Sequence, residues 1–126
     1  MTRLLLDTNV VVWLLLDDRD AVSPKATEAL MDERNVVSLS AVSVWEIAIK
    51  RSLGKLQIEP RWTRALAQLH FEPMPVTSMH AERVENLPWH NRDPFDRLLV
   101  AQAASEGHAL VSAHPKLADY DVEVIW

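Results

Sequence analysis

The sequence has 126 residues, 48% hydrophobic and 25% charged, with a formal net charge of −5 and no cysteine. That length lets one domain bury a core without metal or disulfide staples, and the composition argues against disorder. The lack of cysteine excludes thiol catalysis, disulfides and zinc–thiolate sites, while the acidic balance argues against a broad electrostatic footprint on nucleic acid and leaves room for a small acidic metal site.

The chain opens with Arg3-Leu4-Leu5-Leu6-Asp7-Thr8-Asn9, an apolar run that stops at a carboxylate. Such a run reads as a strand buried on both faces, the pattern of a parallel sheet's centre. It is too short for a secretory apolar region, and no window approaches a membrane span, so a cytoplasmic protein is expected. Asp7 falls at the strand's carboxyl end, where open α/β sheets bind ligands, and it is either a helix cap or a functional carboxylate. The apolar segment Val10 to Leu16 leaves as a helix covering the sheet.

After the polar loop Asp17 to Asp20, Ser23-Pro24 starts a helix that runs through Ala26, Ala29 and Leu30 towards Asp32. Val36-Val37-Ser38-Leu39 is a short β-branched strand, and Ser40 caps the helix Ala41 to about Leu53, which Gly54 stops. Val44, Trp45, Ile47, Ala48 and Ile49 supply the helical pattern of that segment, and Glu46 is the oddity within it. Glu46 is either a partner of the helix dipole or aimed at a site beside Asp7. Lys50, Arg51, Lys55, Arg61 and Arg64 cluster around a single acid, Glu59, and form either a phosphate contact or a solvated surface.

Pro60 opens a further helix through Trp62, Leu66 and Leu69. The stretch Phe71 to Val76 is a third strand or an extended segment, demoted to an edge position by Pro73 and Pro75. Thr77 or Ser78 caps a short helix carrying Ala81, Val84 and Leu87, which Pro88 ends. Trp89 to Arg97 is the most polar stretch, with Asp93-Pro94 opening a helix that reaches Gly107. Asp93 and Asp96 share one side of the helix start; one of them caps, and the other needs a reason. Ala109 to Ser112 and Val122 to Ile125 are the fourth and fifth strands, joined through a turn containing His114. Trp13, Trp45 and Trp62 read as core or dimer-interface residues, and Trp89, beside the acidic motif, as a residue able to stack on a base.

Five strands alternating with helices predict a small doubly wound α/β domain with a parallel sheet covered on both faces. Its topology can bring Asp7, Glu46, Asp93 and Asp96 to one sheet edge. Clustered carboxylates without cysteine suit Mg²⁺ or Mn²⁺, and a metal so held serves phosphodiester hydrolysis without a nucleophilic side chain.

The segments Leu4-Leu5-Leu6-Asp7-Thr8-Asn9, Ser43-Val44-Trp45-Glu46-Ile47, Arg92-Asp93-Pro94-Phe95-Asp96-Arg97-Leu98-Leu99-Val100-Ala101 and Leu110-Val111-Ser112 together resemble the successive motifs of PIN-domain proteins, and more narrowly of VapC-type toxins of bacterial VapBC pairs. The resemblance covers nearly the whole chain. It implies a PIN-like fold and a metal-dependent endoribonuclease, usually dimeric, inhibited by a VapB antitoxin whose tail lies over the acidic site. Asp7, Glu46 and Asp96 match the family's three core acids, Asp93 an additional acid, Asn9 a small polar residue orienting the first Asp, and Ser112 the hydroxyl residue ending strand four.

His114 departs from the pattern, since relatives commonly carry Asp there. A neutral imidazole brings no negative charge, so it is either a simple turn residue beside one tightly held metal or the mark of an impaired nuclease that persists as a binding module. A haloacid dehalogenase type of phosphatase also places Asp after its first strand, but it wants a second Asp where this chain has Asn9.

Overall fold

The computed structural model describes all residues from Met1 to Trp126. The chain forms β1 (Arg3–Leu6), α1 (Thr8–Leu15), α2 (Pro24–Met31), β2 (Val36–Ser40), α3 (Ala41–Ser52), α4 (Trp62–Ala67), β3 (Glu72–Met74), α5 (Ser78–Arg83), α6 (Pro94–Glu106), β4 (Ala109–Val111) and β5 (Val124–Ile125). Single 3-10 turns cover Arg19–Ala21, Val84–Asn86 and Pro115–Asp119. The five strands form one sheet in the order β3-β2-β1-β4-β5, every pair parallel. The expected α/β architecture is the observed one.

β1 lies at the centre and is the reason for the leucine run. Leu5 aligns with Ser38 of β2 and with Leu110 of β4. Side chains alternate across a strand, so Leu4 and Leu6 join one core and Leu5 the other. The first core holds Val10 and Val11 of α1, Ala26 of α2, and Trp62 and Leu66 of α4. The second holds Leu99, Val100 and Ala103 of α6 with Leu117 and Tyr120. Complete burial of each β1 leucine contributes about 1.5–3 kcal/mol relative to an exposed one. No helix is long and apolar enough to cross a membrane.

Boundaries moved where local hydrogen bonding outweighed hydrophobic pattern. α1 begins at Thr8, two residues before the apolar run, because Asp7 is extended (φ −68°, ψ 150°) and forms the N-cap directly. α4 starts after Arg61 and stops at Ala67, leaving Pro60 in the preceding turn and Leu69 outside the helix. β3 is confined to three residues on the sheet edge, as its prolines require. β5 keeps only Val124–Ile125, since the Val122 amide turns back to the Tyr120 carbonyl at 2.8 Å. Gly107 ends α6 in the left-handed region at φ +68°, which turns the chain into β4.

α3 presents a different face from the one its apolar residues suggest. Val42, Ser43, Glu46 and Ile47 are buried, whereas Trp45 is 56% exposed and packs edge-on against Phe95 at 5.0 Å between ring centroids. Trp45 is therefore not a core residue. The helix turns Ser43 and Glu46 inward to meet the carboxyl edge of the sheet, and Trp45, well off that stripe, is carried to the surface.

Candidate active site

Every parallel strand delivers its last residue to the same edge, and that edge gathers the acids. Asp7 follows β1 directly, 3% exposed, with its amide donating to the Val111 carbonyl at 3.0 Å. Its Oδ2 accepts a 2.6 Å hydrogen bond from Ser112 Oγ at the end of β4. Ser112 Oγ in turn accepts from the His114 amide at 3.0 Å. Next to Asp7, Thr8 Oγ1 and Ser43 Oγ share a buried 3.0 Å hydrogen bond that fixes α1 against α3. Asn9 is exposed and makes no hydrogen bond to Asp7; that carboxylate is held by Ser112 of the neighbouring strand and by the Thr8 backbone.

Ser40 at the end of β2 caps α3 by accepting from the Val42 amide, which sets the helix so that Glu46 comes inward a turn and a half later. Glu46 is 4% exposed. Its Oε2 accepts from Lys50 Nζ at 2.6 Å, one helical turn on, and its buried Oε1 has no hydrogen-bond partner. The third contribution comes from α6, whose amino end lies at this edge because the helix runs back antiparallel to β4. Asp93 is the exposed N-cap, its Oδ1 accepting from the amides of Phe95 and Asp96 at 2.8 and 3.1 Å. Asp96, buried, accepts from Asn91 Nδ2 at 3.1 Å.

Four carboxylates thus face only two groups able to carry positive charge. Lys50 is held in its charged form by the hydrogen bond to Glu46, which raises its pKa. His114 Nε2 lies 3.8 Å from Asp96 Oδ2. Its Nδ1 accepts from the Lys116 amide at 3.2 Å as the cap of the 3-10 turn, so a neutral ring carries its proton on Nε2, towards Asp96. Burial, opposed by the Ser112 and Thr8 hydrogen bonds and reinforced by the charge of Glu46, holds the Asp7 carboxyl above the ordinary range. Burial and the charges of Asp7, Asp93 and Glu46 push Asp96 up to about 7. A site in this state holds a proton at neutral pH or takes up a cation.

The donor set fits a hard divalent ion: carboxylate oxygens, one of them buried with no partner, and no thiolate. No three of the His, Asp and Glu side chains close on a common point as a finished cage. Such geometry suits an ion that keeps several waters and is completed by substrate oxygens. Cavities of about 570 and 640 Å³ lie elsewhere, one lined by Ser38, His80 and His108 and the other by Trp45 and Met74, and the acids line neither of them.

Three residues escaped the sequence reading. Lys50 belongs by composition to a basic cluster that reads as a phosphate contact or a solvated surface, although its position four residues after Glu46 is the signal for a helical ion pair. Asn91 stood in the polar stretch without a role. Tyr120 OH donates to Asn91 Oδ1 at 2.6 Å and so fixes the amide that holds Asp96, a link across 29 residues with no local signal.

A family model described as PIN domain matches residues 4–123. No curated protein matches the chain in sequence. Among solved structures, the chain is similar to VapBC2 from Rickettsia felis bound to a DNA fragment from their promoter, with a TM-score of 0.73 at 14% identity over 98% of this chain and 97% of that one. It is also similar to DNA-bound VapBC from Salmonella typhimurium, with a TM-score of 0.64 at 14% identity over 98% and 97% of the two chains. FitAcB from Neisseria gonorrhoeae gives a TM-score of 0.63 at 19% identity over 96% and 95%.

Proposed function

The chain belongs to the PIN-domain family, and from that premise we propose that it is a Mg²⁺- or Mn²⁺-dependent endoribonuclease, the VapC-type toxin of a toxin–antitoxin pair. The observation that carries the proposal is the convergence of buried Asp7, Glu46 and Asp96, with the Oε1 of Glu46 left without a partner. Asp7 and Asp96 are the principal ligands, Glu46 binds directly or through water, and Asp93 supports them from the helix cap. A divalent ion there supplies Lewis-acid polarisation of a phosphoryl oxygen and lowers the pKa of bound water. The protein's own part is placement: Ser112 orients Asp7, Asn91 orients Asp96, and Lys50 holds one oxygen of Glu46.

Two of the similar structures are VapBC complexes, which supports a VapB-type antitoxin as the partner of this chain; that the chain acts as a homodimer rests on the family resemblance alone. His114 occupies a cap that Asp fills equally well, so its presence is compatible with an active site using one tightly held ion.

The test is cleavage of structured and single-stranded RNAs by antitoxin-free protein in Mg²⁺, in Mn²⁺ and in chelator, beside Asp7→Asn and His114→Asp. Cleavage by the wild type that chelator and Asp7→Asn both abolish is the expected result. Activity in His114→Asp alone would make the chain an impaired nuclease retained as an antitoxin-binding module. Silence from both in either metal would overturn the nuclease reading.

A further inference from the structure

In the loop that precedes Asp93 and Asp96, Trp89 stands 73% exposed, yet its ring is not loose. The Arg97 guanidinium lies 3.8 Å from the ring centroid and covers one face. Arg97 is itself buried, 2% exposed, and is held by backbone rather than by a carboxylate. Its Nη1 donates to the Pro88 carbonyl at 2.8 Å and to Tyr120 OH at 3.1 Å, and its Nη2 to the carbonyls of Val84 and Leu87 at 3.2 Å each. An indole with a fixed cation behind it and its other face in water is an unusual surface residue, because exposing so large an apolar ring forfeits the burial that normally places it inside.

The same hydrogen bonds lead to the acids. Tyr120, which accepts from Arg97, donates to Asn91, and Asn91 donates to Asp96. The platform and the metal-ligand carboxylate are therefore registered on one rigid network, and Arg92, exposed and without an ion pair, lies in the same loop.

We propose that Trp89, backed by Arg97, is a substrate-positioning platform on which one unpaired base of the RNA stacks beside the bond to be cut. This inference rests on the nuclease reading above and names the substrate as single-stranded at that position. A base presents a π-face to any aromatic platform, and a purine covers more of an indole than a pyrimidine does. The cation behind the ring draws π-density from the outer face, which favours an electron-rich base and disfavours a second cation such as an arginine of a protein partner.

The experiment uses full-length Asp7→Asn protein, so that binding is read without cleavage, and oligo(A), oligo(C) and oligo(A) with a single abasic site moved along the strand. Trp89→Ala should weaken oligo(A) binding roughly five- to a hundredfold, with Trp89→Phe retaining most of the affinity. One abasic position should weaken the Trp89 protein by a comparable factor and have no effect on Trp89→Ala, the coupling a double-mutant cycle isolates. In active protein, Trp89→Ala should raise KM with kcat nearly unchanged.

A loss in Trp89→Ala that is the same whichever base is removed, or that comes as a fall in kcat and melting temperature together, would mean that Trp89 merely roofs Arg97 and would overturn the proposal. Coupling in the absence of any cleavage would keep the platform and remove the nuclease. Cleavage without coupling would do the reverse.

Discussion

Ser112 Oγ donates to Asp7 Oδ2 at 2.6 Å, so the two side chains that end adjacent central strands hold each other across 105 residues of sequence. The bond orients a buried carboxylate and partly offsets the burial that raises its pKa. Ser112→Ala should weaken Mg²⁺ or Mn²⁺ binding by roughly tenfold, the usual effect of losing a group that orients a ligand. It should also lower stability by about 1–3 kcal/mol at neutral pH. Calorimetric metal titration and urea unfolding check the two effects separately.

Lys50 pairs with Glu46, one of the proposed metal ligands. Removing it as Lys50→Met leaves both Glu46 oxygens without partners in a buried setting, though the half-exposed lysine limits the loss. The variant should unfold about 1–3 kcal/mol more easily in chelator. It should then gain more from added Mg²⁺ than the wild type does, because the site has become more negative. Thermal melts with and without Mg²⁺ measure the difference; an equal gain in both proteins would place Lys50 outside the metal's electrostatic reach.

Asp96 makes metal-free stability depend on pH. Its carboxyl is pushed from 3.8 up to about 7 in the folded protein, so between those values the folded chain holds a proton that the unfolded chain has released. Stability therefore falls as pH rises through this window, and the full penalty, on the order of a few kcal/mol, is reached above it. Melting in chelator should be higher at about pH 5 than at about pH 8, Asp96→Asn should flatten the profile, and Mg²⁺ should restore stability at the higher pH.

Arg97 is a structural cation with three carbonyl acceptors and a tyrosine hydroxyl, and an apolar side chain satisfies none of these. Arg97→Met should cost about 3 kcal/mol or more. Arg97→Lys, a point charge in place of a planar fork, should recover only part of it. Denaturant unfolding with an unchanged m-value would confirm a loss of native contacts rather than a change in the unfolded chain.

Local chemistry made much of this protein readable from its residues alone. The leucine run of β1, the Ser40 and Asp93 caps, Pro94 at the first position of α6 and the Gly107 stop are decided within a few residues, so strand and helix order followed from them, and with it the edge where Asp7, Glu46, Asp93 and Asp96 meet. Tertiary structure decided what those residues touch. α3 buries Ser43 and Glu46 beside Val42 and Ile47 and exposes Trp45, against its hydrophobic pattern, because its inner face meets the polar edge of the sheet as well as the apolar core. Ser112 on Asp7 and Tyr120 on Asn91 are contacts between segments far apart in the chain. Propensity is a property of neighbouring residues, whereas the partner of a buried polar group depends on which distant backbone the packing brings within hydrogen-bond reach.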